Sequence, residues 1–283
     1  MNLRLSSVAL VLALGACGGG GGGGSAPAAA PLPAGGVPAG WALVWSDEFE
    51  QEGLPDPAKW VDDTEHNAAG WFNNELQYYA ARRPENARVA GGRLLITARR
   101  ERLSEQADHG GQDYSSARLM TRGLSAWTHG FFEIRAKLPC GLGTWPAIWM
   151  LGSRGHWPDD GEIDIMEQAG ARPGRILGTV HMRDFHGGSG IGDSHTVADP
   201  CGSFHDYQML WTAEAIVWGI DGVSVHQYRK PAGAGYGTWP FDFPQYLLLN
   251  LAVGGTLGGP PDVRAFPAQM EVEHVRVYQA GPG

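Results

Sequence analysis

Ile216-Val217-Trp218-Gly219-Ile220, Asp221-Gly222 and Val223-Ser224-Val225 follow one another as strand, two-residue turn and strand. Asp-Gly supplies the positive φ angles that a tight hairpin turn demands, so this stretch predicts an antiparallel β-hairpin. Working outward, Tyr246 to Val253 is a continuous apolar run and reads as a buried strand. Leu94, Ile96 and Ala98 alternate against Arg93, Leu95, Thr97 and Arg99, a second strand signature. Phe131 to Lys137 is a mixed run halted by Pro139, and Val275-Arg276-Val277-Tyr278 closes the pattern. No long amphipathic helix and no internal repeat interrupts it. The sum is an all-β chain: one antiparallel β-sandwich of about 240 residues, a size such folds commonly reach. Its most useful form would be a jelly roll with one concave face to hold a substrate cleft.

Composition narrows what this fold could do. The net charge of −9 is diffuse and excludes a nucleic-acid partner as the natural reading. The N-terminus is a targeting segment: Arg4 is followed by the short apolar run Val8 to Leu14 and then Leu14-Gly15-Ala16-Cys17. This resembles a bacterial lipoprotein signal, in which Cys17 becomes the lipidated first residue, against the plainer reading of an ordinary signal peptide with an incidental cysteine. The expected product is exported and faces periplasm or exterior. It meets the membrane only through its lipid anchor, because the apolar run is too short to span a bilayer. Gly18 to Gly24 and the Ala/Pro/Gly-rich stretch to Gly40 read as a flexible tether. The expected division is therefore a signal segment over 1–17, a tether over 18–40 and a single domain over 41–280. Export permits a disulfide between Cys140 and Cys201, which sequence cannot fix.

The chemistry is concentrated in Gly161-Glu162-Ile163-Asp164-Ile165-Met166-Glu167-Gln168. On a regular strand, Glu162 and Asp164 share one face and Ile163 and Ile165 the other. Strict alternation would send Glu167 into the core, where a lone carboxylate is expensive. One extra residue, a β-bulge near Ile165-Met166, would restore the parity and line all three acids on one surface. Two carboxyls about 5–5.5 Å apart are what a retaining glycosidase needs, one as nucleophile and one as acid/base. Like charges so close push one pKa up and keep a proton on the acid. The competing reading is a solvated acidic edge strand. Its surroundings argue against that reading: Trp145-Pro146-Ala147-Ile148-Trp149-Met150 and Trp157-Pro158 precede the acids, and indoles stack on the apolar faces of sugars. Some of these tryptophans could equally be core. His181, on the next apparent strand, could reach the acids across the sheet or be structural.

With these residues in view, the chain resembles glycoside hydrolase family 16, and within it the bacterial laminarinase (endo-β-1,3-glucanase) group. The resemblance is carried by Trp45-Ser46-Asp47-Glu48-Phe49, Asn73-Asn74-Glu75-Leu76-Gln77-Tyr78-Tyr79, Ser116-Ala117-Arg118-Leu119, Gly143 to Met150, Gly161 to Glu167, Leu248 to Gly255 and Val275 to Tyr278. It implies a jelly roll with a cleft on its concave face and hydrolysis with retention. It implies Glu162 as nucleophile, Asp164 as assisting carboxylate and Glu167 as acid/base. The motif has the longer, bulged spacing, which laminarinases share and bacterial lichenases typically lack. The resemblance places Asn74, Arg118, Trp145, Trp149 and His181 along the cleft. For Arg118 a fork of hydrogen bonds to sugar hydroxyls and a structural ion pair are equally good readings. Catalysis needs no cofactor. A structural calcium is common in the family, and the matching positions are Glu48, the Gly92 carbonyl and Glu273. Relatives usually carry Asp at the last position, and Phe72 stands where their loop often has Gly.

The implied function is endo-hydrolysis of a laminarin-like β-1,3-glucan by double displacement, performed by a monomer with the polysaccharide as its partner. Four alternatives keep the scaffold: a mixed-linkage glucan, a galactan such as agar or carrageenan, transglycosylation, or glucan binding without catalysis. The presence of all three acids weighs against the last, since binding alone would not require them.

Overall fold

The structure, a computed structural model, describes residues 32–33 and 36–281. Cys17 and the signal segment lie outside the described residues, as does the tether up to residue 31. The strands are β1 (Trp41–Asp47), β2 (Val61–Asp62), β3 (Gln77–Tyr79), β4 (Ala87–Val89), β5 (Leu94–Ala98) and β6 (Tyr114–Ser116). They continue with β7 (Arg118–Met120), β8 (Gly130–Lys137), β9 (Thr144–Gly152), β10 (Glu162–Gln168), β11 (Arg175–His181) and β12 (Ile191–Thr196). The last five are β13 (His205–Trp211), β14 (Ala215–Ile220), β15 (Val223–Arg229), β16 (Gln245–Val253) and β17 (Ala268–Ala280).

Two antiparallel sheets face each other. One has the order β15-β14-β13-β8-β17-β5-β4, with β1 also paired to β17; the other has the order β12-β11-β10-β9-β16-β7-β2. A small parallel pair, β3 and β6, lies apart from both. This is the jelly-roll sandwich expected from the sequence. The expected hairpin is present: Ile220 pairs with Val223, and Asp221 and Gly222 take φ of 51° and 78°. The apolar run at Tyr246 forms β16, buried along its whole length in the middle of the second sheet. Cys140 and Cys201 are bridged.

Alternation divides every strand of the second sheet between two environments. Ile148 and Met150 of β9, Ile163 of β10, and Leu247, Leu249 and Leu251 of β16 point inward. There they meet Phe132, Met209, Trp211 and Trp218 from the first sheet. The opposite parity, including Trp149, Leu151, Tyr246 and Leu248, faces outward and forms a smaller apolar floor.

Strand β10 breaks this parity where the acids require it. Against β9, Asp164 pairs with Trp149 but Met166 pairs with Ile148, so Ile165 is the extra residue. Against β11 the register likewise slips between Asp164 and Glu167. Ile163, Ile165 and Met166 are all buried in the core cluster. Two consecutive residues therefore point inward, and Glu167 returns to the outer face with Glu162 and Asp164. The bulge interrupts the ladder, and there the Asp164 carbonyl accepts a 2.7 Å hydrogen bond from Trp218 Nε1 of the opposite sheet. Trp218→Phe would leave that buried acceptor unsatisfied, at about 1–3 kcal/mol. Chemical denaturation should show this loss, together with reduced turnover as the bulge relaxes.

Candidate active site

The three carboxyls stand in a row on β10, flanked by β9 and β11. Each has its own fixed donor or partner. Trp157 Nε1 donates to Glu162 Oε2 at 2.6 Å, and Trp145 Nε1 donates to Glu167 Oε1 at 2.9 Å. His181 lies opposite Glu162 in the β11 register and places Nε2 3.1 Å from Asp164 Oδ2. The acids thus sit between two indole N–H groups at the ends and an imidazole in the middle. Trp157, 54% exposed, leaves one face open to a ligand, whereas Trp145 is nearly buried.

Burial is the first cause of raised pKa at all three acids. Glu167 is pushed up to about 7; Trp145 opposes this by hydrogen-bonding the charged form, and the Glu162 charge adds to it. Asp164 is raised well above the ordinary carboxylate range, with the Glu167 charge as its second cause. Glu162 is raised to about 8, and here the second cause is the charge on Asp164. These shifts are linked in sign. The contact between the two acids pushes Glu162 up and draws Asp164 down, so these neighbours compete for a proton. Burial and mutual repulsion together keep protons on this row near neutral pH.

The floor beyond the acids is a polar network. Trp149 Nε1 donates to Asn250 Oδ1 at 2.7 Å, and Asn250 Nδ2 donates to the Tyr79 hydroxyl at 2.9 Å. Arg118 lies over the Trp149 and Trp71 rings, 4.6 and 5.1 Å from their centroids, with Nε 2.9 Å from Asp63 Oδ2. Of the two readings of Arg118, the structure shows the ion pair, with the guanidinium stacked against a cleft indole. Glu75 is half-buried beside Gln77, whose Nε2 donates to it at 2.8 Å, and desolvation raises its pKa. Asn74 sits exposed in a 3-10 turn, Phe72–Asn74, that reaches Gly255 next to Trp145. Near Glu162 the cleft widens into a recess lined by Phe72, His66, Arg122, Trp157 and Tyr246. Sequence reasoning placed Trp157 beside the acids without assigning it a partner. It missed Tyr79 and Asn250, whose signal lay only in their motif blocks.

Residues 74–274 match glycosyl hydrolases family 16. The chain belongs to that family. It is 48% identical over 252 residues to a beta-glucanase of Rhodothermus marinus, covering 84% of this chain and 85% of that one. Among solved structures, SCLam, a non-specific endo-beta-1,3(4)-glucanase of family 16, superposes with a TM-score of 0.84 at 50% identity, covering 87% of this chain and 93% of that one. The laminarinase of Rhodothermus marinus superposes with a TM-score of 0.81 at 48% identity, covering 86% and 98%. This family 16 chain is a glycoside hydrolase.

The calcium set suggested by the family does not fit the residues as they stand. Both Glu48 oxygens accept from the Arg276 guanidinium, at 3.0 and 2.9 Å. Glu273 Oε2 accepts from Arg135 Nε at 2.7 Å, and its other oxygen is 3.8 Å from Arg93 Nε. A dication beside Gly92 would have to displace these arginines and bear their repulsion. Removing divalent ions with a chelator should leave Tm unshifted, checked by calorimetry with and without added calcium. At the catalytic row, Trp145→Phe removes a donor to the charged Glu167, so the pKa of Glu167 should rise above about 7. Carbon NMR titration of labelled glutamate would read this shift.

Proposed function

We propose that this family 16 hydrolase cleaves internal β-1,3 linkages of a laminarin-like glucan with retention of configuration. The observation that carries the reading is the bulged strand β10, which presents Glu162, Asp164 and Glu167 together on the open face. In this reading Glu162 attacks the anomeric carbon and forms a glycosyl ester, while Glu167 protonates the departing glycosidic oxygen. Water then enters, Glu167 takes its proton, and the ester breaks to free Glu162. Asp164, neutral and held by His181, donates to Glu162 when its charge returns and so steadies the carboxylate without sharing its charge. Trp149 and Trp157 offer ring faces to successive sugars, Trp145 positions Glu167, Arg118 keeps Trp149 in place, and Asn74 supplies polar contacts at the cleft edge.

The substrate class is supported by the relatives, named for β-glucan and for β-1,3 or mixed 1,3(4) linkages. The protein works as an exported monomer, lipidated at Cys17 and held on a membrane surface by that anchor. Its only partner in this reading is the polysaccharide.

Purified protein offered laminarin, lichenan, agarose and κ-carrageenan should cut laminarin into a ladder of mid-sized products, with β-configured ends by proton NMR at early times. Cleavage of agarose alone would discard the β-glucan reading and keep the mechanism. Glu167→Gln should lower kcat by about 10²–10⁴-fold. In the native enzyme kcat/KM should fall as pH rises past about 7, where Glu167 loses its proton.

A further inference from the structure

The stretch just before the domain carries a second, unassigned interaction. Composition reads residues 18–40 as tether, yet Leu32 is only 4% exposed. It packs with Phe131, Leu210, Ala215 and Val217, and Val37 and Trp41 lie against the same cluster. These sheet residues have the parity opposite to Phe132, Met209, Trp211 and Ile216 of the core. They therefore line the outer face of the first sheet, on the side of the sandwich away from the acids. The Leu32 amide donates to Ser224 Oγ at 2.6 Å. Gly36 lies beside Phe131, Glu133 and Gln208. Contacts thus run from the β14–β15 hairpin across β13 and β8 to β1.

Gly219 makes the seat for Leu32. A Cβ added there would come 1.8 Å from Leu32 Cδ1. Any larger residue would fill the hollow that Leu32 occupies.

We propose that Leu32, with Gly36, Val37 and Trp41 after it, anchors a docked strap whose binding surface is this outer apolar patch. The strap covers residues that would otherwise be an exposed apolar surface. It also fixes where the chain enters the domain, at the hairpin edge on the face opposite the cleft. On the reading that Cys17 is an anchor, that anchor joins the domain on the side opposite the catalytic row. From Cys17 to the dock, residues 18–31 can span at most about 50 Å.

The test is limited elastase digestion of the full chain, with cleavage sites within 32–41 followed by mass spectrometry. Leu32→Asp, which charges the dock, and Gly219→Ala, which fills it, should each speed cleavage there at least about tenfold over the native chain, since a segment opened by local unfolding becomes a substrate. Laminarin turnover by Leu32→Asp should be unchanged, which shows that the domain remains folded. Equal cleavage rates in the native chain and both variants, whether fast or slow, would overturn the strap.

Discussion

Side chains alternate along a β-strand with a period of two, and that constraint governs this molecule. A strand with one face in a dry core can offer only every second residue to the outside. Three acids at positions 162, 164 and 167 violate the period. The violation is resolved by giving the core two consecutive residues, Ile165 and Met166, and letting the ladder slip against both neighbours. The price is a broken ladder at Asp164, which the Trp218 indole repairs from the other sheet. The core, the opposite sheet and the catalytic row are thus one construction. The same tryptophan that fills the sandwich also fixes the backbone beneath the middle carboxyl.

Electrostatics follow from that geometry. Three carboxyls crowded on a partly buried row resist being charged together, because each is poorly solvated and repels the next. Burial raises all three pKa values, and the hydrogen bonds sort them. Trp145 and Trp157 favour charge at the two ends by hydrogen-bonding the ionised carboxylates, while Asp164 in the middle is raised by burial and the Glu167 charge. A nucleophile and an acid need opposite protonation at one pH.

Much of this was legible in the sequence because it is local. The Asp221-Gly222 turn, the apolar run at Tyr246 and the parity argument for a bulge each rest on a few adjacent residues, and each is found in the structure. What was not legible depends on partners far apart in the chain. Glu48 and Arg276 are 228 positions apart, and only the fold shows that the arginine occupies the carboxylate oxygens a metal would need. Tyr79 meets Asn250 across 171 positions to brace Trp149. Leu32 sits in a stretch whose Ala, Pro and Gly content hides a buried anchor, because the hollow that receives it is made by Gly219 on another strand.

The central claim is that the bulge presents Glu162 as the nucleophile with Glu167 as its acid/base on the same face. Trapping the reaction tests it most directly. A 2-deoxy-2-fluoro β-1,3-gluco-oligosaccharyl fluoride, whose fluorine slows hydrolysis of the ester more than its formation, should leave one sugar adduct per protein, and peptide mapping should place it on Glu162. An adduct on any other residue, or turnover of the reagent with inversion and no adduct, would contradict the account.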